Sequence, residues 1–192
     1  MATMRTKGQG LVTSMKWIED TYGKAALDDV TRACSPELQA RLSSAIAIEW
    51  LPVSQVVEFA RNADRILGTG TGKLAESMGE AGAGASLRGP ILRLVFYLGR
   101  PEFLMRKVAK VWDQYNDQGE MHVRSFEANR GTFELTGADE SHTIFCALLT
   151  GWFREMSRAT GIVTPSVRHT ECLARGEARC FWEIRWAELD RD

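Results

Sequence analysis

Apolar residues recur at three- and four-residue intervals over the first 116 positions and at two-residue intervals after Gly119, so a helical half precedes a mixed one. Leu11, Met15, Ile18 and Tyr22 recur at helical spacing, as do Val53, Val56, Val57, Phe59 and Ala60, then Phe103, Leu104, Val108, Val111, Trp112 and Tyr115. Breaks are expected at Gly23, Ser35-Pro36, Pro52, the glycine-rich stretch 68–89 and Gly99-Arg100-Pro101, where glycine or proline disfavours continuing a helix. Several short helices should follow one another. Within the glycine-rich stretch, Gly68-Thr-Gly-Thr-Gly-Lys73 reads as a flexible connection between helices and 79–89 as a loose loop, with a mobile lid over a pocket as the alternative. A phosphate loop would need glycine in place of Leu67 and Ser or Thr in place of Leu74.

In the mixed half, Met121 to Glu127 and Gly131 to Thr136 alternate as strands about a turn at Ala128-Asn129-Arg130. Asp139 or Ser141 can cap a helix that runs through Ile144, Phe145, Leu148, Leu149, Trp152 and Phe153 to about Thr160, ended by Gly161. Strands return over 163–172 and 179–187. The order β-β-α-β-β suggests a four-stranded antiparallel sheet with one face covered by helices, hence an α+β fold. The organisation expected is a single domain, 1–192, with a helical half at 8–117 and a sheet-and-helix half at 119–188.

Composition narrows the function classes. Apolar residues make up 44% and charged residues 26%, so a packed globular body is expected. The formal net charge of −1, with no block of one sign, argues against nucleic acid as a partner. No apolar run approaches the about 18 residues of a membrane span, and none follows Arg5 and Lys7 as a signal-peptide core would, so a cytoplasmic location is expected. Four cysteines in such a chain do not form a disulfide framework, which belongs to small secreted domains. Their positions carry the information.

Cys172 and Cys180 are symmetric about Gly176, so a hairpin turning at Arg175-Gly176-Glu177 sets them across from each other, with Cβ atoms about 5 Å apart. That is near enough to share one tetrahedral ion. His169 precedes Cys172 by three residues, and Cys146 lies on the preceding helix. Residues three apart on an ideal strand point to opposite faces, so His169 and Cys172 converge only across a bend or bulge; Thr170 has the better parity. Spacing alone also admits cysteines that pack as small apolar residues and a solvated His169.

His169-Thr-Glu-Cys172-Leu-Ala-Arg-Gly176-Glu-Ala-Arg-Cys180-Phe-Trp resembles the end of the 4-vinyl reductase domain, and Cys146-Ala-Leu-Leu-Thr-Gly151-Trp152 resembles that family's cysteine followed by a Gly-aromatic helix. The resemblance is strongest over 119–186. The opening Gly8-Gln-Gly-Leu-Val, Trp17 and Asp20-Thr-Tyr-Gly23 is similar to the first helix of the haem–nitric oxide binding-like superfamily, which includes TRAPP trafficking subunits. In zinc-containing sensor members such as the phenol-responsive activators, an early Cys, an acidic residue and two later Cys bind the metal. By position the resemblance implies Cys146, His169, Cys172 and Cys180, with histidine where the family has a carboxylate and Glu171 as the understudy. Imidazole is also a good zinc ligand.

With four protein ligands the site is closed to water and the zinc structural. The resemblance further implies an α+β body with a cavity between helices and sheet. Candidates to contact a small apolar or aromatic ligand are Phe96, Tyr97, Phe103, Trp112 and Trp152, with Trp50 also among the aromatics. The function expected is a non-enzymatic sensory or regulatory ligand-binding domain, homodimeric, passing its signal to a partner protein. A TRAPP-like scaffold holding an acyl chain, or an accessory to tetrapyrrole reduction, are the alternatives. Haem is expected to be absent, because the helices up to Asn116 contain no histidine, His122 falls on a strand and no Tyr-x-Ser-x-Arg clamp is evident.

Overall fold

The computed structural model describes residues 3–87, 103, 107, 110, 112–138 and 142–187. Outside them lie the expected break at 99–101, the caps Asp139 and Ser141, the ligand candidates Phe96 and Tyr97, and the face residues Leu104, Val108 and Val111. The chain begins with β1 (Arg5–Lys7), α1 (Gln9–Tyr22), α2 (Lys24–Arg32), α3 (Pro36–Leu42), β2 (Trp50–Pro52), α4 (Val53–Leu67) and α5 (Lys73–Ser86). Gly23, at φ +86°, separates α1 from α2 in a conformation that side chains with a Cβ disfavour. The Ser35 hydroxyl accepts from the Leu38 N–H at 3.4 Å while Pro36 opens α3, so two residues specify that start. Leu11, Ile18, Val30, Leu38, Phe59, Ala60 and Ala63 close a buried cluster among these helices.

The β1–β2 ladder was not foreshadowed by periodicity, because three-residue strands carry too short a pattern. Arg5 pairs with Pro52 and Lys7 with Trp50, and Thr6 bridges to Asn116. Arg5 also holds the Asp117 carboxylate at 2.8 Å, which ties the N-terminus to the approach to the sheet.

The glycine-rich stretch departs from expectation. Residues 73–86 form the continuous helix α5, and the connection before it is organised by Asp64, which is 1% exposed. The Asp64 carboxylate accepts from Gly72 N–H at 2.7 Å and Leu74 N–H at 2.9 Å, so it caps α5 from the end of α4. Helix α5 then packs along a later helix, α6 (Thr143–Ala159), through glycines on both sides. A Cβ on Gly79 would lie 1.9 Å from the Leu148 carbonyl oxygen, and one on Gly151 would lie 1.8 Å from that of Glu76. Gly79, read from sequence as part of a break, and Gly151, read within a helix, are here what lets two backbones meet.

The sheet follows expectation. Strands β3 (Glu120–Phe126), β4 (Arg130–Thr136), β5 (Ser166–Glu171) and β6 (Cys180–Arg185) are antiparallel in the order β3-β4-β6-β5, with α6 joining β4 to β5. Strand β5 starts three residues later than the pattern suggested, after Thr164 at φ +46° and Pro165. One face carries Phe133, Leu135, Val167, Trp182 and Ile184 into a core shared with Phe145, Phe153 and Met156 of α6. The other face is ionic: Glu134 receives Arg124 and Arg179, and Glu183 receives Arg130 and Arg185. Layers therefore run α5, α6, sheet, and Cys146, Cys172 and Cys180 lie at the α6–sheet boundary, while Cys34 packs among the N-terminal helices.

Candidate metal centre

Register fixes two of the four residues. Glu171 pairs with Phe181, so the next residue pair inward toward the turn sets Cys172 opposite Cys180. A turn of 3-10 helix, Leu173–Arg175, and Gly176 at φ +84° close the connection. The Cys172 carbonyl accepts from Arg175 N–H at 2.9 Å and Glu177 N–H at 3.3 Å, and the Glu177 carboxylate accepts from Cys172 N–H. Leu173 N–H donates to Cys180 Sγ at 3.4 Å.

His169 joins them because the strand is irregular. Its partner is Trp182, and the register shifts by one between His169 and Glu171, so a bulge at Thr170 absorbs one residue. That shift gives His169 and Cys172 the same face, and Thr170 is exposed instead. Sequence parity pointed to Thr170 because a bulge is a property of two paired strands and leaves little trace in one of them. Cys146 is the fourth residue of α6, at the end of its first turn.

The geometry is that of a tetrahedral donor set. The sulfurs of Cys146, Cys172 and Cys180 are 3.6, 3.8 and 4.0 Å apart. A tetrahedron with Zn–S bonds of about 2.3 Å has S···S edges of about 3.8 Å. These separations are far beyond a disulfide bond, near 2.05 Å, and the cysteines form no disulfide with one another. One ligand atom from each of the four residues lies within 4.8 Å of every other. All three cysteines are 0% exposed. His169 Nε2 is buried without a hydrogen-bond partner, a costly state that a metal bond would relieve.

Glu171 does not take part. It forms a two-pronged pair with Arg179, at 2.7 and 2.9 Å, and that hydrogen bonding holds its carboxyl below the usual range. Of the ligand-contact candidates, Trp112 meets Phe145 edge-on and donates to the Gln118 and Gly119 carbonyls, and Trp152 meets Phe153. Phe103 is 55% exposed. Trp50 lies under the Lys7 ammonium at 4.1 Å. An open cleft of about 470 Å³ sits elsewhere, among Trp17, Ser77, Glu80, Ala81, Gly84 and Glu155.

No protein-family model matches the chain, and no curated protein matches it. Solved structures do. The H-NOX protein from K. algicida in its Fe(II) unliganded form is 13% identical over 97% of this chain and 99% of its own, with a TM-score of 0.71. The H-NOX protein from S. oneidensis is similar in its Fe(II) state, as a triple-alanine mutant (9% identical, 96% and 98% covered, TM-score 0.73), and in its Fe(II)NO state (9%, 95% and 99%, 0.71).

This overturns the expectation that haem is absent. The fold is one whose solved members include iron-containing H-NOX states and a structure solved for work on haem redox potential and porphyrin distortion. Counting histidines tested a single axial ligand, whereas haem iron is also held by cysteine, methionine or tyrosine. Of this chain's own histidines, His122 faces solvent beside Glu120, His142 precedes α6 and His169 stands among the cysteines. Among the described residues none of the three is marked out as an axial ligand. The haem–nitric oxide part of the resemblance is thus carried by the structure, and the vinyl reductase and TRAPP parts are not. The chain has the fold of the H-NOX proteins.

Proposed function

We propose that the protein is a non-enzymatic small-molecule-binding sensory or regulatory domain whose three-cysteine, one-histidine centre holds a structural zinc ion. The observation that carries the metal is the spacing of Cys146, Cys172 and Cys180, with sulfurs 3.6–4.0 Å apart around a buried, unpartnered His169 nitrogen. Hard divalent ions prefer oxygen donors, while three thiolates and an imidazole suit zinc. Four protein ligands leave no open position for water, so the ion ties α6 to the β5–β6 hairpin and does no chemistry. Elemental analysis of protein prepared without chelator should give about one zinc per chain; less than about 0.2 would refute the reading.

The sensory part is supported by the fold shared with H-NOX proteins. Because members of that fold were solved as Fe(II) and Fe(II)NO species, haem heads the ligands to be tested, followed by small apolar and aromatic molecules. In this reading a ligand favours one packing of the helices over another and so alters a homodimer or partner surface, since it can shift an equilibrium only by its differential affinity. Titration with haemin, read by the Soret band, and thermal-shift screening test it together. A chain that neither takes up haem nor is stabilised by any ligand would not be a sensor.

A further inference from the structure

Two of the four centre residues are fixed by local structure and two are not. Cys172 and Cys180 face each other in one hairpin. Cys146 arrives on a separate helix, and His169 lies beyond a bulge, free to turn about its side-chain bonds unless something stops it. Trp182 touches both problems. Its ring stacks on the His169 imidazole with centroids 4.6 Å apart and planes at 20°. Its indole N–H donates to the Thr150 hydroxyl at 3.0 Å, and that hydroxyl donates to the Cys146 carbonyl at 2.8 Å. Trp182 is 0% exposed and Thr150 4%, so no water competes for these bonds.

Resting on the zinc reading above, we infer that Trp182 and Thr150 are positioning residues of the metal centre. The indole face sets the plane of the His169 ring, and the Trp182–Thr150–Cys146 relay sets the position of Cys146 along the helix relative to β6. A threonine bonded to the carbonyl four residues back is common in helices. Here the same hydroxyl also accepts from the sheet, using its donor and acceptor capacities in opposite directions. Thr150 therefore links helix to strand one turn beyond the metal ligand Cys146. Groups of this kind around metal ligands typically tune affinity about 10- to 100-fold.

The test uses the full chain loaded with zinc or cobalt(II), as wild type, Thr150→Val, Thr150→Ser and Trp182→Phe. Thr150→Val keeps the shape and removes the relay, and should speed zinc transfer to a chelator about tenfold or more. Thr150→Ser, which restores the hydroxyl, should return the rate to that of wild type. In the cobalt form Trp182→Phe should shift the visible d–d bands, which sense the imidazole, and retain the thiolate-to-cobalt charge-transfer bands. Thermal midpoints of the metal-free forms identify any loss of fold. Should Trp182→Phe not fold, the Val and Ser pair decides. Folded Thr150→Val that releases zinc at the wild-type rate overturns the inference while leaving the metal site intact. A wild-type chain that takes up neither metal overturns the site and the inference together.

Discussion

Gly151→Ala gives the sharpest test of how this molecule is packed. In an ordinary helix interior the change stabilises, because glycine is about 1 kcal/mol worse than alanine. At Gly151 the new methyl would lie 1.8 Å from the Glu76 carbonyl oxygen, 2.6 Å from its carbonyl carbon and 2.9 Å from its Cα. Relief to a normal contact requires α5 and α6 to separate by about 1.7 Å, since non-bonded atoms are best near 3.5 Å. The obstacle is backbone, so no rotamer change removes it. Overpacking of this kind costs about 3 kcal/mol at the upper end of its usual range, which leaves a net loss of about 2 kcal/mol after the helix gain. For a chain of this size that is a fall of about 4–8 °C in the unfolding midpoint.

Gly82→Ala is the internal control. It sits on α5 with nothing within 4 Å of the added methyl, so it should gain about 0.5–1 kcal/mol. Urea or thermal unfolding of both variants gives opposite signs if the crossing is as close as described. A Gly151→Ala protein as stable as wild type would refute the glycine-mediated contact.

Asp64→Ala strips the acceptor from the Gly72 and Leu74 N–H groups and should cost about 2–6 kcal/mol in chemical unfolding, at about 1–3 kcal/mol per abandoned donor. Removal of zinc by chelator should lower stability by about 4 kcal/mol relative to protein held at a thousandfold excess of free zinc over its dissociation constant. That corresponds to a midpoint about 8–16 °C lower by calorimetry, and an unchanged midpoint would remove the bracing role. The Arg124 hydrogen bond, with Arg179 adding to it, holds the Glu134 carboxyl below the ordinary range. Its contribution is therefore full above the unfolded value, near pH 4.3, and fades as pH falls through the lowered folded value. Glu134→Gln should be less stable than wild type at neutral pH, with the gap closing as the solution is acidified; a gap that widens in acid would contradict the pairing.

The elements with a long period were legible: α1, α4 and α6 in their apolar stripes, β3 and β4 in their alternation, and the β5–β6 hairpin in the symmetry of Cys172 and Cys180 about Gly176. What escaped was decided by partners. The β1–β2 pair is too short to have a pattern of its own. The stretch 73–86 looked broken because glycine lowers helix propensity, an energy that contact with α6 outweighs. Asp64 gave no signal as a cap, since it serves a helix that begins nine residues later.

The chemistry divides along the same line. Residue identity determined that this chain holds thiols and an imidazole of zinc-binding type, and chain spacing determined that two of the thiols meet, because a hairpin converts sequence symmetry directly into proximity. Where spacing left the set open and resemblance only implied it, tertiary structure brings Cys146 to them from α6, turns His169 toward them across a bulge at Thr170, and draws Glu171 away to Arg179. The fold carries the likeness to H-NOX proteins that the first helix resembles, and it bears on haem where the absence of histidine from the helices up to Asn116 argued against it. Local sequence sets dihedral preference and side-chain chemistry; which groups share a site depends on how helix and sheet layers stack, and that is a sum over contacts far apart in the chain.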